Sequence, residues 1–248
     1  MLRYVPSFIL DSSASHADSG SFTGYVFYAD IADFTGLTNV MRKEGKNGAE
    51  ALNQYLTYVL SYPIELVEKH GGFISHFAGD AFYALFPDAA ASQLKYIVEE
   101  LMSYFEIHPT CQTVIGEYPL KVRFAISTGK VHWHVYRQEK QAEYVFSGEP
   151  IKEINKLAEN KLDIALSPYI RSAFAGIAPG KPIPKQLNYQ HDEAIARQFL
   201  NHKLHGINPD NEIRDAGYCF IDLSRLKKAQ IMPTDRKSTR LNSSHRIR

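Results

Sequence analysis

The run at 24–34, GYVFYADIADF, constrains this chain most. Its apolar and aromatic side chains suit a strand buried in a sheet, yet Asp30 and Asp33 stand at its end, where a buried strand emerges at a site. Thr35 then reads as the cap of a following helix. A second run at 73–86, FISHFAGDAFYALF, splits into two short apolar stretches around Gly79 and Asp80, the pattern of a β-hairpin with a tight turn. Between the two, residues 47–70 show helical spacing in Leu52, Tyr55, Leu56, Val59 and Leu60, with a break expected before Pro63 and a stop at Gly71 and Gly72.

Further on, 89–106 reads as a helix, 121–128 as a strand, Gly129 as a turn and 131–136 as another strand. A short extended piece at 144–147 leads through Gly148 into a helix to about residue 160, and IALSPYI reads as a strand followed by a turn. The sum predicts an α/β (α+β) sandwich, a mostly antiparallel sheet covered by helices on one face. Residues 176–190, rich in Gly, Pro and Lys, mark a linker, with a helix expected over 192–204. AGYCFIDLS at 216–224 then repeats the pattern of GYVFYADIA at 24–32, an apolar strand ending at an Asp.

Composition excludes several classes. With 44% hydrophobic and 22% charged residues the chain is not wholly disordered. No apolar run reaches the roughly 18 residues of a membrane span. The N-terminus offers only a short apolar patch broken by Pro6, with no cleavage pattern behind it, so export is not expected. Cys111 and Cys219 are isolated, which suits a reducing, cytoplasmic setting and supplies no metal-ligand spacing. The net charge is +1, but the last 14 residues carry five basic groups against one acidic, leaving −3 for the rest. Nucleic-acid binding therefore has no electrostatic basis. Within that tail, DRKSTRLNSSH at 235–245 matches the translation of a common sequencing-library adapter, so 235–248 is expected to be an assembly artefact with no part in the fold.

Asp30 at a strand end and Asp80 at a hairpin turn would lie side by side if strand and hairpin are neighbours in one sheet. Two carboxylates converging without a basic partner repel each other, and divalent cations resolve that repulsion. The backbone amides around Phe34, Thr35 and Gly36 would sit at a helix N-terminus, where phosphate is favoured. Alone, Asp80 is an ordinary turn residue and Asp30 an ordinary strand end. Their joint occurrence is what points to function.

YADIADFTGL, GAEALNQYL, HGGFISHFAGDAFYALF, VRFAISTGKV and GEPIKEINKLAEN follow in order the pattern of the class III nucleotide cyclase catalytic domain. The resemblance covers about 20–175 and is greatest to the first of the tandem domains of soluble adenylyl cyclases. It implies a ferredoxin-like cyclase fold in which Asp30, Asp80 and the Ile31 carbonyl hold two Mg²⁺ or Mn²⁺ ions. Phe34, Thr35 and Gly36 would hold the triphosphate of ATP, and Arg123 would contact it. Asp33 departs from the usual Gly of that loop.

The family's other half-site does not match. Lys152 and Lys156 stand where an Asn and an Arg are usual, and His76 and Val145 stand where a Lys and an acidic residue read adenine. The resemblance thus implies the metal-carrying half of an adenylate cyclase, a phosphorus-oxygen lyase, which needs a second cyclase domain. On that view 176–211 is a linker with a helix and 212–234 begins a truncated second domain. His76 and Lys156 form a candidate anion site, with bicarbonate as the implied activator. A rival reading is an inactive pseudo-cyclase module that binds nucleotide or anion and regulates an attached effector. A two-metal phosphohydrolase would need His and carboxylate clusters that this sequence lacks. His132 and His134 share a strand face but have no third ligand in the pattern.

Overall fold

The computed structural model describes residues 5–138, 141–160, 162–180 and 193–199. The expected second-domain start and the adapter-like tail lie outside the described residues, as does most of the linker. The chain opens with α1 (Ser7–Ala14) and enters β1 (Ser19–Ile31), followed by α2 (Phe34–Met41), a 3-10 turn and α3 (Gly45–Lys69). The hairpin β2 (Phe73–Ala78) and β3 (Ala81–Pro87) leads to α4 (Ala91–Ile107) and a small ribbon, β4 (Thr110–Thr113) with β5 (Gly116–Pro119). Then come β6 (Val122–Gln138), β7 (Gln141–Ser147), α5 (Glu149–Ala158), β8 (Ile164–Leu166), α6 (Pro168–Ala175) and α7 (Glu193–Gln198).

The main sheet runs β2-β3-β1-β6-β7, all antiparallel, and β8 pairs in parallel with the first half of β6. The α+β sandwich is therefore as expected, but helices cover both faces rather than one. Alternation along the central strand explains this, because both of its faces are apolar. Phe27 and Ala29 face Leu66 and Val67 of α3, Leu94, Ile97 and Leu101 of α4, and Phe174 of α6. Val26, on the opposite side, joins Leu85, Ala125 and Val131 under Ile154 of α5.

The helix α1, which lies ahead of the expected domain start at 20, packs Ile9 and Leu10 against Trp133 and Val135. Its Phe8 stacks on Phe73 of β2 at 5.1 Å and meets Trp133 edge-on at 5.5 Å. Phe73 also packs on Phe146 of β7 at 5.5 Å, and the Tyr144 hydroxyl of β7 donates to the Ser75 carbonyl of β2 at 3.4 Å. The two outermost strands thus meet over one face, so the sheet is curled.

Several local expectations fail for identifiable reasons. α3 runs unbroken through Pro63, which is buried. An interior proline costs about 3 kcal/mol. Here Tyr55 and Val59 on one side of it and Leu66 and Val67 on the other are all buried, so packing of both halves offsets that cost. Gly129 is no turn but part of β6, paired with Gly24 of β1. Its φ of +150° favours glycine, and a Cβ there would lie 2.9 Å from Pro150 of α5, so the absent side chain lets that helix seat on the sheet. The residues after β8 form α6 rather than a turn, with the Ser167 hydroxyl accepting from the Ile170 amide. No helix among the described residues is long and apolar enough to cross a membrane.

Candidate functional site

β1 delivers Asp30 to the end of the sheet between two partners, Ala81 of β3 and Arg123 of β6. Beneath it, Ile31 is buried with Met41, Ala51, Tyr55 and Val59, which fixes the strand end on α2 and α3. The Tyr55 hydroxyl donates to the Pro119 carbonyl at 3.0 Å and ties in the ribbon. Asp80 occupies the β2–β3 turn after Gly79, whose φ of +70° is the left-handed conformation that a tight turn needs. Because Asp30 pairs with Ala81, the turn brings Asp80 beside it, close enough for each carboxyl group to perturb the other.

The electrostatics follow from that crowding. Burial and then the neighbouring Asp30 charge push Asp80 up to about 7. Burial also raises Asp30, with the Arg123 guanidinium pulling the other way. Arg123 corrects the expectation that the two carboxylates lack a basic partner: its Nη2 lies 2.5 Å from Asp30 Oδ2. The two residues lie 93 apart in sequence but are cross-strand neighbours. The Arg123 Nε is buried without a hydrogen-bond partner among the described residues.

Asp33, not Thr35, occupies the N-cap position of α2, in a left-handed conformation with φ 57° and ψ 30°. Asp tolerates that region better than most residues. Its carboxylate folds over Gly36, where a Cβ would lie 2.8 Å from both of its oxygens. Thr35 is exposed and Phe34 half-buried against the cluster around Ile31, so the loop follows the carboxylate end directly.

Of the residues of the other half-site, His76, Lys152 and Lys156 lie on the α5 side of the same sheet. His76 stacks on Tyr83 at 4.3 Å and its Nδ1 lies 3.0 Å from the Ser75 hydroxyl. Burial lowers His76 to about 4, so at neutral pH it brings no charge to the candidate anion site. Lys156 is exposed, and Lys152 is exposed and paired with Glu149 at 2.6 Å. Val145 pairs with His134 of β6.

Sequence reasoning missed Tyr28 and Tyr83. They are cross-strand partners, with rings 4.9 Å apart, and Asp30 helps burial raise both hydroxyls, Tyr83 to about 12. The Tyr83 hydroxyl donates to Asn155 Oδ1 of α5 at 2.7 Å. Tyr83 therefore lies between the two regions, against Tyr28 on one side and His76 and α5 on the other. The period-2 spacing of Tyr28 and Asp30 was the available signal. Among the described residues no group of three or more His, Cys, Asp or Glu side chains could hold a metal, so the carboxylates number two. A groove of about 760 Å³ runs along α3 between Tyr58, Tyr62, Tyr104 and Val114, and none of the candidate site residues line it.

The chain is 31% identical over 155 residues to adenylate cyclase type 10 of Homo sapiens, covering 59% of this chain and 10% of that protein. To the protein of the same name from Oryctolagus cuniculus it is 30% identical over 175 residues, covering 66% of this chain and 11% of that one. The chain thus spans about a tenth of the length of these curated relatives. Among solved structures, a class III adenylyl cyclase-like ATP-binding protein from Pseudomonas aeruginosa has the same fold. It gives a TM-score of 0.53 at 18% identity and covers 75% of this chain and 38% of that one. The chain carries a class III nucleotide cyclase domain. No protein-family model matches. Within this cyclase domain, the sheet end with Asp30 and Asp80 and the α5 side with His76 and Lys156 are two unlike regions joined through Tyr83.

Proposed function

We propose that this cyclase domain is the metal-carrying half of an adenylate cyclase, turning ATP into 3′,5′-cyclic AMP and pyrophosphate together with a second cyclase domain. The observation that carries the reading is the register that sets Asp80 beside Asp30, through the Asp30–Ala81 pair, with α2 beginning four residues after Asp30. Two hard carboxylates suit Mg²⁺ or Mn²⁺, which are commonly bound by one or two carboxylates and complete their shell with water and substrate phosphate oxygens. When bound, such a pair of ions acidifies the 3′-hydroxyl of ATP and neutralises charge on the departing pyrophosphate.

Asp30, Asp80 and the Ile31 carbonyl would hold the ions. The amides of Phe34, Thr35 and Gly36, at the N-terminus of α2, would face the triphosphate. Arg123 brings positive charge to the same end. Reading the base and stabilising the transition state would fall to the second domain, because Val145 accepts no hydrogen bond through its side chain and Lys156 lacks the planar fork of an arginine. The names of the curated relatives, adenylate cyclases, support ATP rather than GTP as the substrate. For a bicarbonate activator, Lys156 would be the only cation of the pair, with His76 neutral. The free, buried Cys111 suits a cytoplasmic setting.

A pseudo-cyclase that binds nucleotide without turning it over is the second reading, favoured by the Asp33 carboxylate over Gly36. Calorimetry with ATP and Mn²⁺ on the chain and on Asp30→Asn and Asp80→Asn tests the shared premise: both substitutions should weaken binding while the fold persists. Equal binding by all three would remove the site. Mixing the chain with a catalytically competent second cyclase domain then separates the readings, since a half-enzyme gains turnover and a pseudo-cyclase does not.

A further inference from the structure

Arg123 makes a short ion pair to Asp30, and its Nε is a buried donor with no partner among the described residues. The pair is largely shielded, the side chains being 20% and 13% exposed. A buried guanidinium ordinarily satisfies its donors, so this one is held in a geometry that leaves part of its hydrogen-bonding capacity unused. It also occupies Oδ2, one of the two oxygens that Asp30 could offer a divalent ion. A divalent ion and a guanidinium on the same carboxylate repel each other at close range, and the repulsion grows as the site is shielded from water.

We propose that Arg123 is an internal counter-ion that guards Asp30 until nucleotide arrives. Resting on the proposed two-carboxylate site, the inference is that Arg123 must leave Asp30 for the ion to bind. A polyphosphate anion supplies the alternative partner, taking the unused Nε donor and the released Nη2. Ion and nucleotide then bind as a unit, and the free domain discriminates against the metal alone. Arg123 acts here as a positioning residue whose effect reaches the ion through Asp30.

The test is Mn²⁺ binding to the full chain, followed by electron paramagnetic resonance with and without ATP. Wild type should bind Mn²⁺ alone weakly and far more tightly with ATP. Arg123→Gln should bind Mn²⁺ alone about tenfold tighter or more, and lose most of the gain that ATP confers. Arg123→Lys, which keeps the charge, should resemble wild type toward Mn²⁺ alone. Asp80→Asn in the Arg123→Gln background should abolish the new affinity, confirming that it arises at the carboxylates.

Unchanged or weaker Mn²⁺ binding by a cooperatively folding Arg123→Gln protein overturns the guard. So does tight binding of Mn²⁺ to wild type in the absence of nucleotide. Failure of the wild type to bind Mn²⁺ with ATP overturns the proposed site itself and is thereby distinguishable. If the variants do not fold, the Arg123 side-chain nitrogen resonances of wild type decide: Mg²⁺ alone should leave them in place and Mg²⁺ with ATP should shift them. Displacement by Mg²⁺ alone overturns the inference.

Discussion

The two candidate half-sites of this cyclase domain share one sheet and yet treat charge in opposite ways. At the end of β1, Asp30 and Asp80 are pressed together with one arginine, paired to Asp30, for two acids, and Asp80 is driven far above its usual range. Across Tyr83, on the α5 side, His76 is kept neutral by burial, Lys152 is matched by Glu149, and Lys156 lies exposed. The first region holds an unfilled demand for positive charge. The second has none. A protein gains nothing in stability from the first arrangement, because burying carboxylates side by side is costly unless something compensates them. The contrast is the physical ground for proposing the carboxylate end, rather than the α5 side, as the region that takes a ligand.

The largest test of that contrast is catalytic. The chain alone should make cyclic AMP at least about three orders of magnitude more slowly than the same chain mixed with a competent second domain, the scale of losing a transition-state arginine. Robust activity of the isolated chain, measured as cyclic AMP released with Mn²⁺ and ATP, would erase the distinction between the two regions.

A smaller effect concerns the settled region. The fold lowers His76 from about 6.5, its unfolded value, to about 4. Its contribution should be fully present above pH 6.5 and fade as the pH falls toward 4, by on the order of 3 kcal/mol in total. Urea unfolding at pH 7 and pH 4.5 should therefore show a steeper acid loss in wild type than in His76→Phe. Parallel losses would mean that the ring is hydrated and the region is not closed.

Next in size is Asp33. Removing its carboxylate from above Gly36 with Asp33→Gly should tighten ATP binding with Mn²⁺ several-fold, about 1 kcal/mol or less, as expected for one charge at a helix terminus. Calorimetry on the two proteins measures it, and weaker binding by Asp33→Gly would show that the carboxylate supports the loop instead. Smallest of all, Lys152→Ala should leave the thermal midpoint unchanged, because its pair with Glu149 is exposed to solvent. A clear drop would show that the α5 side depends on a charge that this comparison treats as idle.

Asp30 and Asp80 could be read from sequence because each depends on local rules, a strand end and a Gly-Asp turn. Arg123 could be seen as a candidate, but not as the partner of Asp30, since that pairing rests on the β1–β6 register between segments 93 residues apart. The same holds for Tyr83, whose meaning lies in what stacks on it. α1 escaped notice because it is eight residues long and follows Pro6, with too few turns to set up a periodicity. The ribbon of β4 and β5 has four residues in each strand, too short for alternation to show. Pro63 and Gly129 misled in the same way: each has a strong local preference that tertiary packing overrode.

Phe8 has one more consequence. An open sheet has two rims of unpaired backbone groups that can recruit strands from other molecules, and proteins must hide or blunt them. Here the rims at β2 and β7 are drawn toward each other over an aromatic plug, and Phe8 is the piece that wedges between them and Trp133. Shortening the protein to begin at Gly20 would withdraw the plug and leave Phe73, Phe146 and Trp133 facing water along a sticky seam. Such a truncated protein is expected to self-associate even though every residue of the carboxylate end is still in place.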